Sequence, residues 1–253
     1  MSSSNPVQNG QPSENVWSYY APYLAPPAAA SAAIVPVYYG FIAKSAQQMG
    51  EPIPRMSPLE AIKRGCQATP KIGATIGVQM LTQDAVEKVL NQYAGNREKP
   101  SFFTMLASAA VVGAASAPFL AVFNGDTTGQ SVRESLRSFR ANPKQGGAII
   151  SREISFLFAL RISGPVGEVM KQRYGDNQAV QYSSIFMSGA IGSLIGHPAD
   201  TALTLWQNGR KIENIRHLMR GGPMKAVAVG GFAVGYNMLS GVIDFKTPDK
   251  NKE

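Results

Sequence analysis

Seven charged or titratable side chains lie where an apolar segment gives them little water. Arg152, Glu153, Arg161 and Glu168 fall within the stretch from about Ala148 to Met170, His197 and Asp200 within Tyr182 to Leu205, and Lys225 within Gly222 to Ile243. A charge inside a membrane-type segment is costly, so such residues face a cavity, a partner or a bound solute. Arg152 followed by Glu153 suits a zwitterion, because a guanidinium holds a carboxylate bidentately while the acid holds an amine. The same pair also suits an internal ion pair, or an Arg reaching toward lipid headgroups. Arg161 is either a second anion contact or a partner of Glu168, two turns on. His197 and Asp200 form a protonation pair or, alternatively, hydrogen-bond the backbone freed beside Pro198. Glu168-Val169-Met170-Lys171 offers an acid and a base three residues apart.

Other chemistries find no support in the pattern. No nucleophile is spaced with a base, so the sequence predicts no enzyme. Cys66 is the single cysteine, which excludes an intramolecular disulfide and a cysteine zinc site. Asn124-Gly125-Asp126 resembles a fragment of a calcium loop, but no further ligands follow, and it reads as a turn. Gly221-Gly222 lacks the lysine of a phosphate loop. Tyr38 and Tyr39 read as cavity wall or helix packing.

The elements that must position these residues come in threes. Pro27-xxx-Ser31-xxxx-Pro36 recurs as Ala109-xxx-Gly113-xxxx-Pro118 and Gly189-xxx-Ser193-xxxx-Pro198, the last prolines 82 and then 80 residues apart. Small residues four apart let helices approach closely in lipid, and a proline one turn later predicts a kink at each site. Charged residues are only 16%, and mean hydropathy is −0.08, which fits helices around a polar interior. Apolar segments run from Val16 to Ala43, Ile72 to Gln83, Phe102 to Phe123, Ala148 to Met170, Tyr182 to Leu205 and Gly222 to Ile243. Ser57-Pro58-Leu59-Glu60 and Ser131-Val132-Arg133-Glu134 predict capping boxes. They open two short surface helices, and Lys211 to Met219 forms a third.

The expected fold is therefore an all-α membrane protein of six transmembrane helices in three tandem pseudo-symmetric repeats, 16–95, 96–176 and 177–245. Each repeat has a proline-kinked odd helix, a short surface helix and an even helix. Residues 1–15 form a disordered polar N-terminus and 246–253 a polar tail. The three connections within repeats each carry five basic and two acidic residues, and the two between repeats are balanced. That asymmetry places the within-repeat loops on one side and both termini on the other. The net charge of +8 favours anionic lipid or an anionic solute. Nucleic acid is not expected, because the basic residues are dispersed and lack interleaved aromatics.

On these features the chain resembles the mitochondrial carrier family. The residues that carry the resemblance are the three ordered proline repeats, His197-Pro198-Ala199-Asp200 with Gln207 beyond, and the even-helix starts at Arg64-Gly65, Gly146 and Arg220-Gly221-Gly222-Pro223. The resemblance implies kinks at Pro36, Pro118 and Pro198, a matrix-gate remnant in Asp200 and Gln207, and an opposite-gate remnant in Glu168 and Lys171. It implies solute contact at Arg152, Glu153 and Arg161, no metal, no cofactor, and bound anionic lipid such as cardiolipin. The location it implies is the inner mitochondrial membrane, with both termini toward the intermembrane space. The chain departs from the family at the gate. Tyr38 and Phe41, then Leu120 and Phe123, stand where acid and base belong, and Leu203 replaces the third base. The three-pair ionic ring cannot form. Two functions follow as expectations. One is transport of a small anionic or zwitterionic metabolite by alternating access. The other is a non-transporting structural role as a subunit of a larger inner-membrane assembly, for example a respiratory-chain complex.

Overall fold

The computed structural model describes residues 16–94 and 102–244, and among these the secondary structure is helical, without strands. The helices are α1 (Val16–Met49), α2 (Pro58–Ala94), α3 (Phe102–Thr127), α4 (Val132–Ala141), α5 (Lys144–Tyr174), α6 (Gln178–Ile195), α7 (His197–Gln207) and α8 (Gly222–Asp244), with a 3₁₀ segment at Ile215–Met219. The polar ends, and the side chains of Trp17, Tyr19 and Arg161, lie outside the described residues.

The six long helices close into a ring in which each packs on two neighbours, in the order α1, α2, α3, α5, α6, α8 and back to α1. The shorter α7 continues α6 inward, against α5, and reaches α1 and α3. Two of these helices contain stretches long and apolar enough to cross a membrane, Tyr23–Met49 and Leu106–Thr127.

Small residues permit this closeness. A Cβ added at Gly65 would lie 2.5 Å from the Val35 carbonyl oxygen, so α2 meets the α1 backbone directly. At Gly221 φ is 79°, and an added Cβ would lie 2.8 Å from the Lys44 carbonyl oxygen. That turn therefore needs glycine twice, for its left-handed backbone and for its contact. The apolar core gathers inside the ring. Ile34, Tyr38, Ile42, Ile72 and Phe123 form one cluster, and Leu120, Ala121, Ile149 and Leu203 belong to another.

The expected connectors differ in detail. The first surface helix is not separate: Ser57 caps the start of α2, with its hydroxyl accepting from the Glu60 amide at 3.2 Å, and α2 then runs on through Pro70. Proline removes one helical N–H. The Cys66 carbonyl thus freed accepts the Thr69 hydroxyl at 2.8 Å, which lets the helix continue. The second surface helix is α4, with a complete capping box between Ser131 and Glu134. The Ser131 amide and hydroxyl donate to the Glu134 carboxylate and hold its pKa below the usual value. The third, expected from Lys211, shrinks to Ile215–Met219. The helices run through Pro36 and Pro118, whereas at Pro198 the helix breaks, with Gly196 between α6 and α7.

Candidate functional site

The ring encloses a cavity of about 240 Å³. Ile34, Ile72, Leu120, Phe123, Val229 and Phe232 form much of its wall, and Lys44, Arg152, Glu153, Asp200 and Lys225 supply its charges. Asp200 is the hub of these charges. Its Oδ2 lies 2.9 Å from Lys44 Nζ and 3.4 Å from Lys225 Nζ, and its Oδ1 lies 3.4 Å from Arg152. It is 3% exposed, Lys44 3% and Lys225 6%, so the cluster is screened little by water. Arg152 also binds its neighbour Glu153 at 3.1 Å. The far oxygen of Glu153 accepts from the Gln79 amide at 3.2 Å.

The helices position this hub for identifiable reasons. Asp200 is in the first turn of α7, where exposed N–H groups favour a negative charge. Lys44 ends the charge-free run of α1, and Lys225 sits in the first turn of α8, just after Gly221. His197 does not bond Asp200. Its Nε2 donates to the Arg220 carbonyl at 2.9 Å, tying the start of α7 to the turn before α8. The carbonyl it takes is not the one freed beside Pro198, and Asp200 meets the three cations instead.

Around the hub, the ends of α1, α3 and α7 are joined in a polar ring. Between α1 and α7, the Gln48 amide donates to Thr201 Oγ1 at 2.9 Å, and the Thr204 hydroxyl donates to Gln48 Oε1 at 2.8 Å. Between α3 and α7, the Asn124 amide donates to Gln207 Oε1 at 2.7 Å, and the Gln207 amide donates to the Ala121 carbonyl at 2.6 Å. Between α1 and α3, Ser45 and Thr127 share a hydrogen bond of 2.7 Å, and the Tyr38 hydroxyl donates to Asp126, which also pairs with Lys71 of α2. Phe123 packs edge-on against Tyr38 and Phe41, at centroid distances of 6.2 and 5.9 Å.

The sequence expectations fare unequally. Asp200 meets Lys44 of α1, and Gln207 meets Asn124 of α3. The family-type ring of three ion pairs is absent, and one ion pair with neutral hydrogen bonds stands in its place. Arg152 and Glu153 line the cavity and hold each other through Arg152 Nε and Nη2, while Arg152 Nη1 reaches Asp200 only at 3.4 Å. Glu168 and Lys171 are exposed near the end of α5. Lys171 pairs with Asp176, 3.5 Å away in the following turn, and not with Glu168.

The sequence singles out neither Lys44 nor Gln48, reads Asp126 only as part of a turn, and gives no partner for Lys225, because these residues stand at or near helix ends. A register signal was present. Lys44 and Asp126 each stand eight residues after their proline, and Ser45, Thr127 and Gln207 each stand nine after.

A second pocket, of about 410 Å³, lies at the surface among Asn142, Lys144, Trp206, Gly209, Arg210, Lys211 and Ile212. Arg210 is paired with Glu51, and Lys144 and Lys211 add positive charge without a carboxylate in the lining.

Comparison with family models, curated proteins and solved structures yields no match.

Proposed function

We propose that this chain is a carrier-like bundle of six membrane-spanning helices in three repeats, which no longer alternates access and serves as a structural subunit of a larger assembly in the inner mitochondrial membrane. The observation that carries this reading is the polar ring joining α1, α3 and α7 around Asp200. Alternating access needs two states within a few kcal/mol of each other. The ring holds one end closed through buried ties between all three helix pairs. Toward the other end, Lys171 pairs with Asp176 in the following turn and Lys88 with Asp84 one turn away on α2.

The membrane placement is supported by the outward faces. Leu24, Leu81, Val111, Val169, Met187 and Val227, one on each long helix, are all exposed. Such a belt costs little in lipid and much in water. Both termini would face the intermembrane space, with α4 and the 3₁₀ segment along the matrix surface. The pocket between Lys144 and Lys211 suits the phosphate of an anionic lipid such as cardiolipin.

Transport of a small anionic or zwitterionic metabolite is the second reading, favoured by the cavity that Arg152 and Glu153 line. One experiment separates the two. The protein is extracted from its native membrane in mild detergent and its native mass measured, and the purified chain in liposomes is assayed for exchange across a metabolite panel. Stable residence in a large stoichiometric complex without exchange is the expected result. A free monomer that exchanges a solute, with exchange lost in Arg152→Ala, refutes it.

A further inference from the structure

The charges around the central cavity do not cancel. Three cations, Lys44, Arg152 and Lys225, line it with two carboxylates, Asp200 and Glu153, and the other lining residues are uncharged. The next charges outward, Lys71 and Asp126, pair with each other, and Tyr38 adds a neutral hydroxyl. His197 Nε2 donates to the Arg220 carbonyl. Among the described residues one positive charge is therefore in excess at Asp200, where Lys44 and Lys225 are buried.

The shortage falls on Lys225. Its contact with Asp200 Oδ2 is 3.4 Å, and that same oxygen already takes Lys44 at 2.9 Å and the Gln48 amide at 3.3 Å. An ammonium carries three donors, and a buried charge without full pairing is costly. Arg152 Nη1 likewise reaches Asp200 only at 3.4 Å. Both cations border a space of about 240 Å³, enough for a small ion and a few waters.

We propose that this cavity holds a resident small monovalent anion, chloride or a short carboxylate such as formate, bound by Lys225 and Arg152 and completing the charge balance around Asp200. The ion is a structural component of the closed bundle, and the inference stands whether or not the chain transports.

The test uses the full-length protein in detergent. Thermal unfolding is followed at constant ionic strength while sodium chloride or sodium formate replaces the sodium salt of a bulky sulfonate. A ligand that binds only the folded state raises the midpoint with the logarithm of its concentration. The wild type is expected to show that rise, and whichever salt produces it identifies the ion. Lys225→Arg should keep the rise. Lys225→Met balances the cavity without an ion, so its midpoint should be flat across salts and, in sulfonate, no lower than that of the wild type. A flat wild-type response to both salts overturns the proposal. So does a Lys225→Met variant that rises as steeply as the wild type, which places the anion at a surface site. Should Lys225→Met give no folded protein, chloride NMR linewidth on the wild type decides. Broadening reversed by formate supports the site, and an unbroadened line in a protein stabilised by neither salt refutes it.

Discussion

Asp200→Asn is the sharpest test of the hub. The substitution keeps size and much of the hydrogen bonding but removes the charge that Lys44, Lys225 and Arg152 share. Arg152 keeps Glu153 at 3.1 Å. Lys44 and Lys225, 3% and 6% exposed, keep no carboxylate within ion-pair distance. Removing one partner of a buried pair costs about 3–5 kcal/mol, mainly because the other charge is stranded. Two lysines are stranded here, so the upper part of that range applies. At about 2–4 °C per kcal/mol for a chain of this size, the midpoint should fall by roughly 10–20 °C. Lys225→Met removes a cation from the same hub, yet leaves Asp200 with Lys44 and Arg152. It should therefore shift the midpoint far less. Differential scanning fluorimetry in one detergent and one buffer measures both. A fall below about 3 °C for Asp200→Asn, or a larger fall for Lys225→Met, would refute the view that the carboxylate holds the cations and not the reverse.

Three further outcomes are expected. Gly65→Ala should destabilise by about 1–3 kcal/mol, because its Cβ meets the Val35 backbone; Gly147→Ala, exposed in α5 with nothing within 4 Å of the added Cβ, should be neutral or stabilising by about 0.5–1 kcal/mol, as equilibrium unfolding would show. Ser131→Ala should loosen α4, seen as faster amide exchange there. The Glu134 pKa is lowered on folding, so the wild-type cap contributes fully above the unfolded Glu value of about 4.3 and is lost as pH falls below it through the lower folded value. In sealed mitoplasts, Cys66, exposed near the start of α2, should label from the side opposite to cysteines placed at Ser4 and Lys250 in a Cys66→Ser background; labelling of all three from one side would break the topology.

The helical class, and the ends of α3 and α5 to within a few residues, were legible because apolar runs are local signals. The meeting of Asp200 with Arg152 was not, although both were singled out, because pairing across 48 residues depends on how α5 and α7 pack. The ring also lies beyond the family pattern of an acid two residues and a base five residues after each proline. At those positions the chain carries Tyr38 and Phe41, Leu120 and Phe123, and it moves its polar groups one turn along, to Lys44, Ser45, Asp126 and Thr127. The continuity of α2 was hidden by Pro70, which usually ends a helix. The Thr69 hydroxyl takes the carbonyl that Pro70 frees, a compensation that composition does not reveal. The third surface helix failed for want of a strong start. Lys211-Ile212-Glu213 precedes Asn214, and it is Asn214 that caps, accepting from the Arg216 amide at 2.9 Å.

The replacement of charges by hydroxyls and amides bears directly on whether the bundle can move. A ring of ion pairs in a water-filled vestibule is easily reopened, because each charge is rehydrated as it parts. The ring here is mostly neutral and buried: Gln48, Thr201, Thr204, Asn124 and Gln207 are each less than 5% exposed. Each hydrogen bond of this kind is worth about 0.5–1.5 kcal/mol net, so the ties between α1, α3 and α7 together hold on the order of 5–10 kcal/mol. Reversing a two-state balance from 99:1 to 1:99 takes about 5.5 kcal/mol. A solute would have to supply that difference through side chains that already hold each other, Arg152 with Glu153 and Asp200 with its three cations. Opening would also break the apolar seal of Tyr38 and Phe41 on Phe123. The polar groups of the molecule thus hold its helix ends together, which is the argument for the structural role proposed above and against transport.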